Sequence, residues 1–103
     1  METVDYGDAE GNVLRLRTSL SAGTIRKLAE SPGKRGASQE DAWQRKEELL
    51  FERLAASWEI AGLPLTDQKM LLGRYRMADS DTRRWVREII DRHLAEHIPE
   101  LLR

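Results

Sequence analysis

The chain contains no cysteine, so it can form no disulfide, supply no thiolate to a metal and present no cysteine nucleophile. That suits a reducing compartment, and the cytoplasm is the expected location. No apolar stretch approaches the roughly 20 residues that a membrane helix needs. The N-terminus carries Glu2, Asp5, Asp8 and Glu10 in place of a basic start followed by an apolar run, so it does not read as a signal peptide. Excess charge of one sign is missing too: 17 basic and 18 acidic residues leave a formal net charge of -1. The chain therefore has no global electrostatic pull toward nucleic acid or an anionic membrane, while a charged fraction of 34% favours solubility. At 103 residues it fits one domain with one modest core, near the size at which a partner surface adds usefully to stability.

What is present starts with alternation. Val4 and Tyr6, then Leu14 and Leu16, alternate with polar residues on either side of the turn-forming cluster Gly7 to Asn12, which predicts a β-hairpin with one apolar face. A lone hairpin is marginal in water, so this face must pack on a helix or join a larger sheet. Ser21 is a good N-cap for a short helix presenting Ile25 and Leu28 before Ser31-Pro32. The next stretch, to Ser38, with glycines, a proline and basic residues, reads as a surface linker.

Ser38 followed by Asp41 resembles a capping box at the head of a long helix. From there Trp43, Leu50, Leu54, Trp58 and Ala61 fall near one helical face, and Gly62 with Pro64 reads as the stop. A helix from Gln39 to Ala61 would be roughly 33 Å long, enough to act as the spine of the domain. Leu63 to Thr66 then reads as a tight apolar connector. Thr66 and Asp67 can cap a short helix carrying Met70, Leu71 and Leu72, and Asp79 or Ser80 begins a last helix whose stripe runs from Trp85 to Ile98. The expected fold is α+β and mostly α, an N-terminal β-hairpin packed on about four helices. The expected domain is single over 1–103, with the hairpin in 1–18, a short helix in 19–31, a flexible linker in 32–38 and a helical core in 39–98.

No enzyme signature emerges. His93-Leu-Ala-Glu-His97 matches the H-x-x-E-H pattern in which two histidines on one helix face share zinc, but a zinc site wants three or four protein ligands and only six residues follow His97. Both histidines read instead as flanking the apolar stripe near a helix C-terminus, where positive charge is favourable. Asp79 and Asp81 suit a helix cap and lack the glycine and terminal glutamate of a calcium loop. No catalytic residue, metal site or cofactor is expected. Arg74, Arg76, Arg83, Arg84, Arg87 and Arg92 make the C-terminal third basic, which admits a DNA-binding helix pair. Yet Arg84, Glu88 and Arg92, and likewise Arg87 and Asp91, are spaced as ion pairs on a solvated face, and this disfavours nucleic acid.

The order of features from about Val4 to Ile98 resembles the small tail assembly chaperones of long-tailed bacteriophages. The residues that carry the likeness are the hairpin, the helix entry at Leu20 to Thr24, Ala55-Ala-Ser-Trp58-Glu-Ile60, then Gly62-Leu-Pro-Leu-Thr66 and a closing helix with Ile90 to Leu94. The resemblance implies a non-enzymatic protein of the host cytoplasm that coats a tape-measure protein, a long helical client, and helps tail-tube subunits assemble around it, often with a longer frameshifted form. The alternatives are a phage head-tail connector or other structural assembly protein, and a small DNA-binding regulator.

The three tryptophans read most simply as core, with Trp43, beside the linker, the one expected to face a partner. The expected protein-binding surface joins the hairpin edge at Val4 and Tyr6 to Trp43, Leu49 and Phe51 on the long helix, the last two lying outside the width that one core-facing stripe requires. Self-association through the same apolar surface is expected, as rings or filaments that a client displaces.

Overall fold

The computed structural model describes residues 2–29 and 39–101, with side chains from residue 45 onward in the second stretch. The linker expected over 32–38, the capping box at Ser38 and Asp41, and the side chain of Trp43 lie outside the described residues. The chain runs β1 (Thr3–Gly7), β2 (Val13–Arg17), α1 (Ala22–Ala29), α2 (Gln39–Leu54), β3 (Ala55–Ile60), β4 (Leu63–Leu65), α3 (Gln68–Met77) and α4 (Ser80–His97), and closes on a 3₁₀ turn, Pro99–Leu101. The strands form one antiparallel sheet in the order β1-β2-β3-β4.

This overturns the expected fold of a two-stranded hairpin on about four helices. The sheet has four strands, and residues 39–98 are not a helical core, because the long helix ends at Leu54 and the chain passes directly into β3. Leu63-Pro64-Leu65 is not a connector but the edge strand β4. Two physical causes stand out. Arg17, at the end of β2, donates from Nη1 to the carbonyls of Arg53 at 3.1 Å and Ala55 at 2.9 Å, satisfying acceptors that a helix end leaves orphaned. The already formed β2 then offers β3 a ladder, with Leu14 opposite Trp58, Arg15 opposite Ser57 and Leu16 opposite Ala55, and a bulge between Arg15 and Leu16.

Ala61 and Gly62 both have positive φ, 52° and 80°, and join Ile60 to Leu63 as a two-residue turn of the kind that matches strand twist. Gly62 is thus a hairpin glycine, not a helix C-cap. Alanine is strained in this region, whereas asparagine adopts it more readily. Ala61→Asn is therefore expected to raise stability by about 0.5–1 kcal/mol. Urea unfolding checks this, and a loss of stability would contradict the assigned turn.

Helix caps sit where short polar residues precede apolar runs. Ser21 Oγ accepts from the Thr24 amide at 3.2 Å, Asp67 from that of Met70 at 3.0 Å and Asp79 from that of Thr82 at 2.8 Å. The helices cover one sheet face. Leu14, Leu16 and Trp58 from that face meet Leu28, Leu50, Phe51, Leu54, Leu71, Tyr75, Val86, Ile90 and Leu94 in one cluster. The other face carries Thr3, Asp5, Arg15 and Glu59, all exposed, as a sheet with one solvated side should. Among the described residues no helix is long and apolar enough to cross a membrane.

Candidate functional site

The two edges of the sheet differ. In β1 the backbone of Glu2 accepts from Thr18 and the amide of Asp8 donates to Asn12, so in this uninterrupted register the even-numbered residues bond to β2. The N–H and C=O groups of Thr3, Asp5 and Gly7 therefore point outward, away from the sheet. At the opposite edge, the turn geometry makes Ile60 and Leu63 a hydrogen-bonded pair, which leaves Pro64, opposite Glu59, with its ring nitrogen outward. A three-residue strand whose central residue has no outward donor is a blocked edge. Among the described residues, only β1 can extend the sheet.

Hydrogen bonds hold β1 firmly in place. The Asp8 carboxylate accepts from the amides of Glu10 and Asn12 at 2.8 and 2.9 Å and from the Asn12 side chain at 3.0 Å, fixing the turn. Burial raises the Asp8 pKa, but these bonds outweigh it and the net effect is a lowered value. Asp5 takes a two-pronged contact from Arg15, at 2.7 and 3.2 Å, which holds its carboxyl below the usual range. On the inner side, Tyr6 Oη lies 2.7 Å from His93 Nδ1, and His93 Nε2 lies 2.6 Å from the Arg17 carbonyl. A carbonyl can only accept, so Nε2 carries the proton, and the Tyr6 hydroxyl donates to Nδ1. One imidazole from α4 thereby ties down both strands of the first hairpin.

His93 is fully buried, which corrects its expected place on the flank of the stripe. With both ring nitrogens engaged it cannot ligate a metal without breaking these bonds. His97 only packs its ring beside it, at 4.7 Å between centroids, and no group of three or more metal-ligating side chains occurs among the described residues. Burial lowers the His93 pKa, with the Arg17 carbonyl opposing, His97 adding to the lowering and Glu96 opposing. A histidine whose folded pKa is depressed binds fewer protons folded than unfolded. Its stabilisation is full above the ordinary value of 6.5 and is lost as pH falls through the lower folded value. Urea midpoints are thus expected to drop as pH is lowered through and below 6.5, more steeply than in a Tyr6→Phe, His93→Leu double variant.

Of the residues expected to meet a partner, Val4 and Tyr6 lie half-buried on β1, with Tyr6 packed against the core. Leu49 is on the surface at 37% exposure. Phe51 is not on the binding surface: at 0% exposure it is core, stacked on Tyr75 at 4.8 Å and edge-on to Trp58 at 5.7 Å. The expectation failed because α2 packs on α3 and α4 as well as the sheet, so its apolar arc is broader than a single interface requires. Sequence reasoning missed Leu63, Met70 and Met77 as exposed apolar residues, at 74%, 58% and 83%. The expected pairs of Arg84 and Arg92 with Glu88, and of Arg87 with Asp91, do not form among the described residues. Arg87 instead reaches Glu47 on α2 at 3.5 Å, Arg76 reaches Glu48 at 2.8 Å and Arg84 lies 3.8 Å from Asp81. Burial raises the pKa of Glu47, against the pull of Arg87, and pushes that of the neighbouring Tyr75 up to about 12.

No family model, curated protein or solved structure matches this chain.

Proposed function

We propose that this chain is a non-enzymatic assembly factor that holds another protein, of the kind its sequence resembles: a tail assembly chaperone acting on a tape-measure-like client and on tail-tube subunits in the host cytoplasm. The observation that supports a holding role is the asymmetry of the sheet, with β4 closed by Pro64 and β1 offering backbone donors and acceptors that are unpaired among the described residues, beside half-buried Val4 and Tyr6. A proteinaceous partner that adds a strand gains main-chain hydrogen bonds from the edge and apolar contact from these side chains. The pairing of Arg76, Arg84 and Arg87 with acids removes part of the basic surface that a DNA-binding regulator would use.

Co-expression with a long, helical tape-measure-like product tests the reading. A chaperone co-purifies with that client and is absent from finished particles. Retention in finished particles would make the protein a connector instead, and duplex DNA binding with steep salt dependence would make it a regulator.

A further inference from the structure

We infer that the β1 edge accepts a basic, amphipathic strand from another protein and rejects a second copy of itself. The inference rests on the holding role proposed above and names the chemistry of the segment held. Glu2, Asp5, Asp8 and Glu10 span β1 and its turn, and no lysine or arginine occurs before Arg15. Asp8 is committed to the turn and Asp5 leans on Arg15, so the four acids leave the edge acidic along its length, with Arg15 and Arg17 of β2 as the counter-charges behind it.

An antiparallel copy of β1 pairing through the outward groups of Thr3, Asp5 and Gly7 would bring acids against acids. Centred on Asp5 it sets the two Asp5 carboxylates directly opposite, and each Glu2 beside the other copy's Asp8. Like charges facing across a ladder are destabilising. Self-association through this edge, expected from the apolar excess alone, is disfavoured for that reason.

The same geometry fixes the pattern of the favoured strand. Residues opposite Val4 and Tyr6 continue the inner face, where apolar side chains extend the half-buried rim of the core. Residues opposite Thr3, Asp5 and Gly7 continue the solvated outer face, where a lysine or arginine opposite Asp5 completes a row of alternating charge with Arg15. An alternating apolar and basic segment meets both demands.

Titration calorimetry and amide NMR on the full chain provide the test, with short synthetic peptides alternating valine with lysine, threonine or glutamate. The lysine peptide is expected to bind about tenfold more tightly than the threonine peptide, to weaken as salt is raised, and to protect the Thr3, Asp5 and Gly7 amides from exchange. The glutamate peptide should not bind, and Glu2→Lys with Glu10→Lys, which leaves Asp5 in place, should narrow the gap between the lysine and threonine peptides. Asp5→Pro removes an outward donor without touching the β2 ladder and should abolish binding. Should that variant fail to fold, a lysine peptide N-methylated on its edge-facing amides serves the same purpose with the protein intact. Equal binding of lysine and threonine peptides at this edge would overturn the charge selection and leave the open edge standing. Binding that maps elsewhere, that survives N-methylation, or that fails for every peptide would overturn the edge itself. A β1-mediated dimer in sedimentation would overturn the exclusion of a second copy.

Discussion

Replacing Phe51 by Ala is expected to cost about 3–5 kcal/mol, a large part of the roughly 5–15 kcal/mol that holds a small domain folded. Phe51 joins three layers of contact: it stacks on Tyr75 of α3, meets Trp58 of β3 edge-on, and sits with Leu50 and Leu54 on the buried side of α2. Truncation removes the ring from all of them and leaves a cavity between a helix and a sheet that are each held elsewhere, so collapse around the gap is limited. Urea unfolding followed by tryptophan fluorescence reads the effect directly. Leu49→Ala, two residues away at the surface, is the control and should cost less than about 1 kcal/mol. If the two variants behaved alike, Phe51 would be a surface residue and its packing between α2, α3 and β3 would be wrong.

That contrast shows where local pattern ran out. Leu49, Leu50 and Phe51 are consecutive, and helical periodicity alone cannot say which of three adjacent apolar residues is left outside when neighbours press from more than one direction. The β3 to β4 hairpin was legible in principle: Trp58 and Ile60, then Leu63 and Leu65, alternate about Ala61-Gly62, which is a two-residue hairpin pattern with glycine in a turn position. It was masked because Leu50, Leu54, Trp58 and Ala61 also satisfy the helical period, and Ala55-Ala56 favours helix locally. The decision came from the tertiary level, from an Arg17 side chain that ends α2 and a β2 strand that pairs with β3. Signals confined to a few neighbouring residues fared better: Ser21, Asp67 and Asp79 cap helices at the places their side chains suggest, because a cap depends only on the next three residues. The edge at Val4 and Tyr6 could be read from alternation, but its being the one open edge among the described residues required knowing that the sheet has four strands and that Pro64 sits in the last of them.

The second large effect is expected at His93, 76 residues from Arg17 and 87 from Tyr6 in sequence and in hydrogen-bond contact with both. His93→Leu preserves the bulk of a buried side chain but leaves the Arg17 carbonyl without its donor and the Tyr6 hydroxyl without its acceptor. Stranded polar groups cost about 1–3 kcal/mol each, and Tyr6, being half-buried, recovers part of its share from water, so a loss of about 2–4 kcal/mol is expected. Adding Tyr6→Phe removes one of the stranded groups. The double variant should therefore be destabilised by about 1 kcal/mol less than the sum of the singles, and that coupling is what a mere loss of packing would not produce. Binding should suffer as well, because Tyr6 is the residue through which α4 anchors the edge strand, and among the described strands β1 pairs with β2 alone. In His93→Leu the amides of Val4 and Tyr6, which bond inward to β2, should exchange faster than those of β3, and the lysine peptide should bind more weakly because part of its binding energy goes into ordering the strand it must join. Additive single variants, or a β1 whose exchange is unchanged, would mean that His93 fills space without fastening the edge.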